Sequence, residues 1–234
     1  MIDVIYLTGG IGKRANLGYP KQYARLKGKP IMIYGLETLS KIEEIGNILI
    51  SCDTDNSHVI DIISNYDFDN IVLSKSKETR QESIYNELKH INTNQVLICE
   101  SVRPFMSEKL VRKVINMDSD CVIPIDYSLA TVVDILGNTF ERQDIGCVQM
   151  PQKYNTEKLL KVHEFMNAKN ETCTDDYDLI SKYRFMHGEK SFSQFPFNRR
   201  VVFHGEIENI KITYPIDLKI AEAILNYMEG GFLE

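Results

Sequence analysis

The sequence lacks the features that mark membrane and secreted proteins. No apolar run approaches the ~18 residues of a transmembrane helix, and the start, M-I-D-V-I, has no charged segment of the kind that opens a secretory signal. The five cysteines form no C-x-x-C pair, and their odd number without a signal indicates a reducing compartment. We therefore expect a cytoplasmic protein whose cysteines are small, buried hydrophobic residues.

Neither the net charge nor the spacing of the histidines favours binding of a nucleic acid or of a metal ion coordinated by histidines. The formal net charge is -6 at pH 7, so a basic site must be local rather than a general basic face. None of the five histidines has metal-ligand spacing to another or an identifiable nucleophile as partner. We expect neither a nucleic acid nor a membrane as partner, and an anionic small molecule suits this chain better.

The sequence does contain short apolar runs that alternate with amphipathic segments, which is the pattern of a parallel sheet with crossover helices. We predict strands over residues 4–8, 48–52, 71–73, 95–99 and 121–125, and helices over 30–42, 57–66, 79–91, after Ser107 and from Pro215. The 234 residues are 43% hydrophobic, enough for one domain over residues 1–234. The predicted fold is a Rossmann-like α/β/α sandwich with a mostly parallel sheet, in which ligands gather at the carboxyl ends of the strands.

The first predicted strand opens into a glycine-rich, cationic loop, I-Y-L-T-G-G-I-G-K-R-A-N-L-G-Y-P-K-Q-Y over residues 5–23. Glycines without a Cβ let the backbone turn tightly and direct its N–H groups at an anion. These glycines are Gly9, Gly10 and Gly12, and the nearby cations are Lys13, Arg14 and Lys21. The loop therefore predicts a phosphate site.

Three other interpretations of this loop are weaker. A Walker A loop needs Ser or Thr after G-K, and Arg14 stands there. The G-x-G-x-x-A dinucleotide fingerprint fits residues 10–15, but its helix would have to begin where Asn16, Gly18 and Pro20 favour a loop. A solvated glycine-rich turn is the remaining alternative.

Two linked motifs in the loop, G-G-x-G-x-R at residues 9–14 and P-K-Q-Y at 20–23, resemble the signature of nucleotidyltransferases that couple a nucleoside triphosphate to a sugar or alcohol phosphate. The resemblance is closest to the cytidylyltransferases that act on methylerythritol phosphate and ribitol phosphate, and it extends over residues 2–226. It implies CTP as substrate with Mg²⁺ as cofactor. The nucleotide-binding residues that it implies are Leu7, Thr8, Gly9, Gly10, Gly12, Lys13, Arg80, Ser83 and Ser101.

Two further motifs of the resembling family follow predicted strands. Residues 76–83, S-K-E-T-R-Q-E-S, resemble G-G-x-x-R-x-x-S, with Ser76 and Lys77 in place of the glycines. Because glycine allows the closest approach of the backbone to the base, we expect weaker selectivity for cytosine. On sequence alone, Arg80 would be an ordinary charge at a helix start. Residues 99–105, C-E-S-V-R-P-F, resemble H-D-A-V-R-P-F, with Glu100 in place of the Mg²⁺-binding aspartate. Arg103 binds the acceptor in this interpretation, or else pairs with a carboxylate under the loop.

The second half of the chain carries the motifs that the resemblance links to the acceptor. Residues at about 127–148 read as a β-hairpin with its turn at Gly137-Asn138, and in the family this segment is an arm that crosses to a second subunit of a homodimer. In Q-M-P-Q, residues 149–152, Met150 replaces a threonine that would face the substrate phosphate. The implied acceptor-binding residues are Arg103, Ser128, Arg142, Met150 and Lys211.

Two more motifs complete the resemblance. Thr174-Asp175-Asp176 matches the family's T-D-D, although we favour helix capping for these residues. Asn209-Ile210-Lys211 is predicted to end a short strand, with Glu208 beside it as a second acidic residue near the metal.

These residues suit the attack of a phosphomonoester oxygen on the α-phosphorus of CTP, which asks for positioning and charge neutralisation more than for proton transfer. We assign Arg14 and Lys21 to the triphosphate, Glu100 and Glu208 to Mg²⁺, and Arg142 and Lys211 to the acceptor phosphate.

The expected function is a cytidylyltransferase that acts on a polyol phosphate, such as ribitol 5-phosphate or a glycerol phosphate, to make a CDP-alditol for a surface polymer. The alternative within the class is methylerythritol phosphate in isoprenoid synthesis. A nicotinamide-dependent oxidoreductase and a catalytically silent nucleotide-binding protein are the alternatives from other classes.

Overall fold

A central sheet dominates the fold of this computed structural model, which describes residues 1–9, 20–52, 57–127, 130–186, 197 and 199–230. The strands are β1 Ile2–Leu7, β2 Arg25–Leu26, β3 Lys29–Pro30, β4 Ile45–Cys52, β5 Ile71–Lys75, β6 Gln95–Glu100, β7 Cys121–Tyr127, β8 Val132–Val133, β9 Thr139–Phe140, β10 Gly146–Val148, β11 Gln152–Asn155 and β12 Arg200–His204. The helices are α1 Ile31–Ser40, α2 Ser57–Ile63, α3 Arg80–Leu88, α4 Glu108–Asn116, α5 Thr156–Ala168, α6 Asp176–Met186 and α7 Pro215–Met228. The predicted α/β fold with a mostly parallel sheet is confirmed.

The sheet has the strand order β10-β7-β11-β6-β1-β4-β5, and β12 also pairs with β7. The pairs β1–β4, β1–β6, β4–β5 and β7–β12 are parallel, whereas β11 lies antiparallel between β6 and β7. Strand β10 is also antiparallel to β7. The sheet is therefore mixed, with its parallel strands β6, β1, β4 and β5 presenting their carboxyl ends along one edge.

Helices cover both faces of the sheet because successive side chains of a strand point to opposite faces. Val4 and Tyr6 of β1 pack with buried residues of α1, α2 and α4, while Ile5 packs with α3, α5 and α6. A third apolar cluster joins α7 to the β2–β3 ribbon through Leu26 and Ala221. Each fully buried aliphatic side chain contributes about 1.5–3 kcal/mol, so these clusters supply most of the stabilisation.

Residues at the N-termini of α3, α4 and α7 determine where these helices begin. The Thr79 hydroxyl accepts from the Glu82 N–H while the Glu82 carboxylate accepts from the Thr79 N–H, which is a capping box at the start of α3. The Ser107 hydroxyl accepts from the Leu110 N–H and caps α4 as predicted. Pro215 occupies the first turn of α7, also as predicted.

A short hairpin forms the predicted arm. Strands β8 and β9 pair antiparallel, and the turn between them contains Gly137 at φ +88°, a conformation that suits glycine. Ile135 and Leu136 at the tip are 102% and 82% exposed. The predicted hairpin and its Gly137-Asn138 turn are confirmed, and its exchange with a second subunit stays a prediction.

Two predictions are wrong. Asn209-Ile210-Lys211 does not end a strand, because the neighbouring strand β12 stops at His204 and the chain then runs through turns to α7. Among the cysteines, Cys147 is exposed and Cys173 is half-buried, whereas the other three are buried as expected.

Within the described ranges, no helix is long and apolar enough to cross a membrane.

Candidate active site

The register of the sheet brings three sequence-distant residues abreast at its carboxyl edge. Leu7 at the end of β1 pairs with Ser51 of β4 on one side and with Glu100 of β6 on the other. Beyond Leu7, the backbone N–H of Thr8 donates to the Ser51 carbonyl at 3.1 Å, and its hydroxyl donates to the same oxygen at 2.8 Å. The amide of buried Gln22 donates to the Thr8 carbonyl, so the P-K-Q-Y motif is held against the end of β1.

A cavity of about 140 Å³ opens at this edge, between the end of β1 and the start of α3. The residues that line it are Leu7, Gly9, Ser51, Ser76, Lys77, Glu78, Thr79, Arg80 and Ser83. A Cβ on Gly9 would lie 3.1 Å from the Cβ of Ser76, so this approach of the two segments favours glycine. Four residues predicted to bind nucleotide, Leu7, Gly9, Arg80 and Ser83, thus lie together.

Two hydroxyls in this cavity differ in their partners. Ser83 accepts from the Lys77 N–H and donates to the Thr79 carbonyl, both at 2.9 Å, so it holds the loop that replaces the glycines of the family motif. The Ser51 hydroxyl is buried and has no hydrogen-bond partner among the residues that the structure describes. The sequence prediction missed Ser51, which belongs to no motif; only its place at the end of a predicted parallel strand could have indicated it.

Arg80 is not the solvated charge that its position in the sequence suggests, since its side chain is only 25% exposed. Its Nη2 lies 2.7 Å from Asp176 and 3.8 Å from Asp175, and its Nε lies 4.0 Å from Glu100. Burial opposes the charge, but these three carboxylates raise the pKa of Arg80 above its ordinary value. The guanidinium is therefore permanently charged and fixed in place.

The T-D-D motif has two roles, of which capping is one. The Asp175 carboxylate accepts from the Tyr177 N–H at 2.8 Å at the start of α6, as the capping interpretation predicts. Asp176 instead lies buried between Arg80 and the Nε2 of His163, which is 3.0 Å away. Sequence reasoning missed His163, because a single buried histidine on an amphipathic helix carries no motif.

Glu100 lies at the centre of the cationic residues. Its Oε1 is 2.7 Å from the Nζ of Lys211, and its Oε2 is 3.4 Å from the Nε of Arg103. Burial alone would raise the pKa of Glu100, but Lys211, Arg103 and Arg80 lower it to about 2. Glu100 is therefore an ionised carboxylate at physiological pH, paired with Lys211, and the role of Lys211 toward a substrate stays a prediction.

Arg103 links three of the predicted motifs. It is 8% exposed, and besides Glu100 its guanidinium donates to the carbonyls of Asn209 at 2.7 Å and Val148 at 3.5 Å. The Asn209 amide in turn donates to the Met150 carbonyl. The alternative of a carboxylate partner under the loop is thus confirmed for Arg103, and its contact with an acceptor stays a prediction.

The remaining predicted residues lie in varied surroundings. Ser101 is buried, and its N–H donates to the Leu7 carbonyl at 3.1 Å. The Met150 side chain is 2% exposed and packs in the apolar cluster beneath α3, α5 and α6. Arg142 and Glu208 are exposed, Arg142 on the arm and Glu208 in the segment before Asn209.

The first cation of the P-K-Q-Y motif, Lys21, is half-buried at the start of a 3-10 helix beside Gln22. Five predicted residues lie outside the described residues, namely Gly10, Gly12, Lys13, Arg14 and Ser128.

The acidic residues of the site do not form a complete metal centre. Within the described part of the chain, no group of three or more His, Cys, Asp or Glu side chains could hold a metal ion. Glu100 is ionised at the edge of the sheet, whereas Glu208 is exposed. Mg²⁺ bound with a nucleotide commonly takes one or two carboxylates and fills its shell with phosphate oxygens and water. Glu100 fits the role of one such ligand.

A mostly parallel α/β sheet with a cavity and a cluster of cations around one ionised carboxylate at its carboxyl edge suits a nucleotidyltransferase. The chain matches the profile of the family described as IspD, 2-C-methyl-D-erythritol 4-phosphate cytidylyltransferase, over residues 2–227. It belongs to this family, whose members are CTP-dependent cytidylyltransferases.

Individual relatives agree with this placement. The chain is 32% identical over 235 residues to the 2-C-methyl-D-erythritol 4-phosphate cytidylyltransferase of Clostridium botulinum strain Langeland, covering 95% of this chain and 96% of that one. It is 31% identical over 216 residues, 87% of its length, to the bifunctional IspD/IspF enzyme of Pelagibacter ubique, and it spans 57% of that enzyme. The crystal structure of 4-diphosphocytidyl-2C-methyl-D-erythritol synthase from Anaerococcus prevotii superposes with a TM-score of 0.80 at 28% identity, covering 97% of this chain and 96% of that one.

Proposed function

We propose that the protein transfers CMP from CTP to 2-C-methyl-D-erythritol 4-phosphate and releases pyrophosphate. The observation that carries this proposal is the cluster of Arg80, Arg103 and Lys211 around Glu100, beside the cavity at the carboxyl edge of the sheet. This acceptor is the alternative of the sequence analysis. The Clostridium botulinum relative is a 2-C-methyl-D-erythritol 4-phosphate cytidylyltransferase, which favours this acceptor over a polyol phosphate and a surface polymer.

The chemistry needs two anions to meet. An oxygen of the acceptor phosphate attacks the α-phosphorus of CTP, the bond to the bridging oxygen breaks, and pyrophosphate leaves with that electron pair. At 4 Å and an effective dielectric of 20, one pair of unit charges interacts with about 4 kcal/mol before desolvation. Fixed cations at the sheet edge therefore lower the repulsion between the substrates and stabilise the charge that develops in the transition state.

The described residues divide these tasks by position. Arg80 lies in the cavity wall with Gly9 and Ser76, so we assign it to the nucleotide. Lys211 contacts the same oxygen of Glu100 as Arg80 but does not line the cavity, and we assign it to the acceptor phosphate. Glu100 contacts both cations, with its Oε1 at 4.0 Å from Arg80 and 2.7 Å from Lys211.

Residues outside or at the margin of this cluster complete the assignment. We assign Arg14 and Lys21 to the triphosphate and Arg142 of the arm to the acceptor phosphate of a partner subunit in a cytoplasmic homodimer. Glu100 would hold Mg²⁺, with Glu208 as the second predicted ligand. The metal ion, when bound, neutralises part of the triphosphate charge.

A screen for pyrophosphate release tests the proposal. The four nucleoside triphosphates are each combined with 2-C-methyl-D-erythritol 4-phosphate, ribitol 5-phosphate and glycerol 3-phosphate, in the presence and absence of a Mg²⁺ chelator. We expect release with CTP and 2-C-methyl-D-erythritol 4-phosphate, a product of the corresponding mass, and no release with chelator. Faster release with ribitol 5-phosphate would return the assignment to a polyol phosphate.

Other outcomes of the screen would contradict other parts of the proposal. Equal rates with all four triphosphates would remove the selectivity for cytosine and point to Ser76 and Lys77 as its cause. CTP binding without release with any acceptor would favour a catalytically silent nucleotide-binding protein.

A further inference from the structure

Two helices on one face of the sheet reach the guanidinium of Arg80 through a buried pair of side chains. Asp176, the first residue of α6, lies with Oδ2 at 2.7 Å from Nη2 of Arg80. Its other oxygen, Oδ1, lies 3.0 Å from Nε2 of His163 in α5. The side chains of His163 and Asp176 are 0% and 1% exposed. The cavity wall is thus connected to the helix layer by an Arg–Asp–His chain.

The hydrogen bond to Asp176 determines which nitrogen of the His163 ring donates a proton. Burial raises the pKa of Asp176, but the charge of Arg80 and the bond to His163 lower it to about 2, so the carboxylate only accepts. Nε2 of His163 must therefore carry the proton that is donated. The other nitrogen, Nδ1, is buried and has no hydrogen-bond partner in the described part of the chain, so a proton there would be a buried donor without an acceptor.

The ring of His163 is held by the helix that carries Arg80. Tyr85 of α3 stacks on it with ring centroids 6.2 Å apart and an interplanar angle of 8°. The Nζ of Lys89 lies 3.8 Å from the centroid of the Tyr85 ring. Helix α3 therefore makes two contacts with the Asp176–His163 pair. Arg80, its first residue, pairs with Asp176, and Tyr85 stacks on His163.

Arg80 needs such an anchor because of where it lies. A cation at the N-terminus of a helix meets the positive end of the helix dipole, and this one is also largely withdrawn from water. Asp176 supplies the opposing charge, and His163 occupies the carboxylate oxygen that does not face Arg80. The hydrogen bond of His163 to Oδ1 orients the carboxylate so that Oδ2 forms the ion pair with Arg80.

We propose that His163 is a positioning residue of the nucleotide site, which fixes the guanidinium of Arg80 against the cavity wall through Asp176. This rests on the proposed function in one respect, namely that the cavity takes CTP. The pair would act on the affinity for the nucleotide, and the acceptor would be affected little.

Two substitutions of His163 separate the hydrogen bond from the packing. His163→Gln keeps an N–H near the position of Nε2, whereas His163→Leu keeps comparable volume without a donor. We expect His163→Leu to raise the Kd and the KM for CTP by about tenfold or more, the scale of a lost hydrogen bond to a charged group. His163→Gln should stay within about threefold of the wild type, and the KM for the acceptor should change less than about twofold in either variant. His90→Gln, at an exposed histidine after α3, is the matched control.

Asp176→Asn tests the same chain from its other side and serves if His163→Leu does not fold. The asparagine keeps the shape but removes the charge opposite Arg80, so the Kd for CTP, measured by titration calorimetry, should rise at least as far as in His163→Leu. A CTP Kd like that of the wild type in Asp176→Asn, or a lowered Tm with unchanged CTP affinity in His163→Leu, would overturn the inference. If the wild type binds CTP without transferring CMP, the proposed reaction fails, and the comparison of Kd values still decides this inference.

Discussion

The ammonium group of Lys211 lies 2.7 Å from Oε1 of Glu100, although 111 positions separate the two residues in the chain. The contact joins the end of the central strand β6 to the segment between β12 and α7. It places a cation of the last motif beside the carboxylate of an earlier one, so neither motif is complete without the other.

The first prediction concerns that cation. Lys211→Met should lower turnover by about 100-fold, the scale observed when one group that stabilises transition-state charge is removed. Pyrophosphate release at saturating CTP measures the effect. Lys219→Met is the control, because Lys219 is 74% exposed on α7 and pairs only with Glu222 of the same helix in the salt bridges of the described residues. Similar turnover in both variants would remove Lys211 from the site.

The second prediction concerns pH and Glu100. Because the folded-state pKa is about 2 against an ordinary value of 4.5, the stabilisation by ionised Glu100 is fully present above about pH 4.5 and is lost as the pH falls towards 2. A depression of this size corresponds to about 3 kcal/mol. We expect the difference in free energy of unfolding between the wild type and Glu100→Gln to be constant from pH 7 to 5 and to shrink below pH 4.5. Urea titrations across this range measure it, and a constant difference down to pH 3 would contradict the assigned ion pairs.

The third prediction concerns the opening loop. Arg14→Ala and Lys21→Ala should each lower turnover by at least ~100-fold, while the Tm changes little because loop cations contribute little to the core. Lys41→Ala, at an exposed residue after α1, is a control for the loss of one lysine. Near-normal turnover in both loop variants would make the loop a structural turn.

The parts of this structure that the sequence predicts are those set by local signals. Ser107 precedes an apolar pattern of helical period, and Gly137-Asn138 lies between two short apolar runs, so the cap of α4 and the turn of the hairpin are predicted directly. The placement of β11 between β6 and β7 could not be predicted, because the pairing of antiparallel strands is decided by distant partners and not by periodicity.

In the candidate site too, motifs predict some residues, whereas the roles of others depend on tertiary packing. Glu100 and Lys211 were found because each stands in a motif, and the structure brings them together. Asp176 was interpreted as a helix cap because an aspartate beside a helix start suits that role equally well. Only the approach of α6 to Arg80 reveals it as an ion-pair partner, and that approach depends on how three helices pack.

The fourth prediction concerns Met150, whose side chain is buried in the apolar cluster while its carbonyl accepts from Asn209. Met150→Thr should change the preference among acceptor phosphates more than the affinity for CTP, since the family resemblance places a threonine at this position facing the acceptor phosphate. It should also lower the free energy of unfolding by about 1–3 kcal/mol, because it removes apolar volume from a packed site. Steady-state kinetics with two acceptors and urea titration measure the two effects. An effect confined to the KM for CTP would show that Met150 belongs to the other substrate.

The fifth prediction concerns the arm, whose tip residues Ile135 and Leu136 are almost fully exposed in one chain. Exposed apolar residues on a hairpin suit burial against a second copy, which would carry Arg142 into the neighbouring site. Lys21→Ala and Arg142→Ala should then each be inactive alone and recover activity when mixed. In an isologous dimer, statistical exchange restores roughly a quarter of wild-type activity. Mixtures that remain inactive after verified exchange would place Arg142 in its own subunit or outside the reaction.

The base of the arm has a consequence for how this family can vary. Tyr127, the last residue of β7, pairs with Gly146, the first residue of β10, so the chain leaves and re-enters the sheet at one closed pair of strands. In the described part of this segment, residues 130–145, no residue pairs with a strand of the central sheet. Insertions and deletions between residues 131 and 141 can therefore accumulate without disturbing the register of the strands around Glu100. The arm can thus change in length while the edge of the sheet that carries Glu100 keeps its geometry.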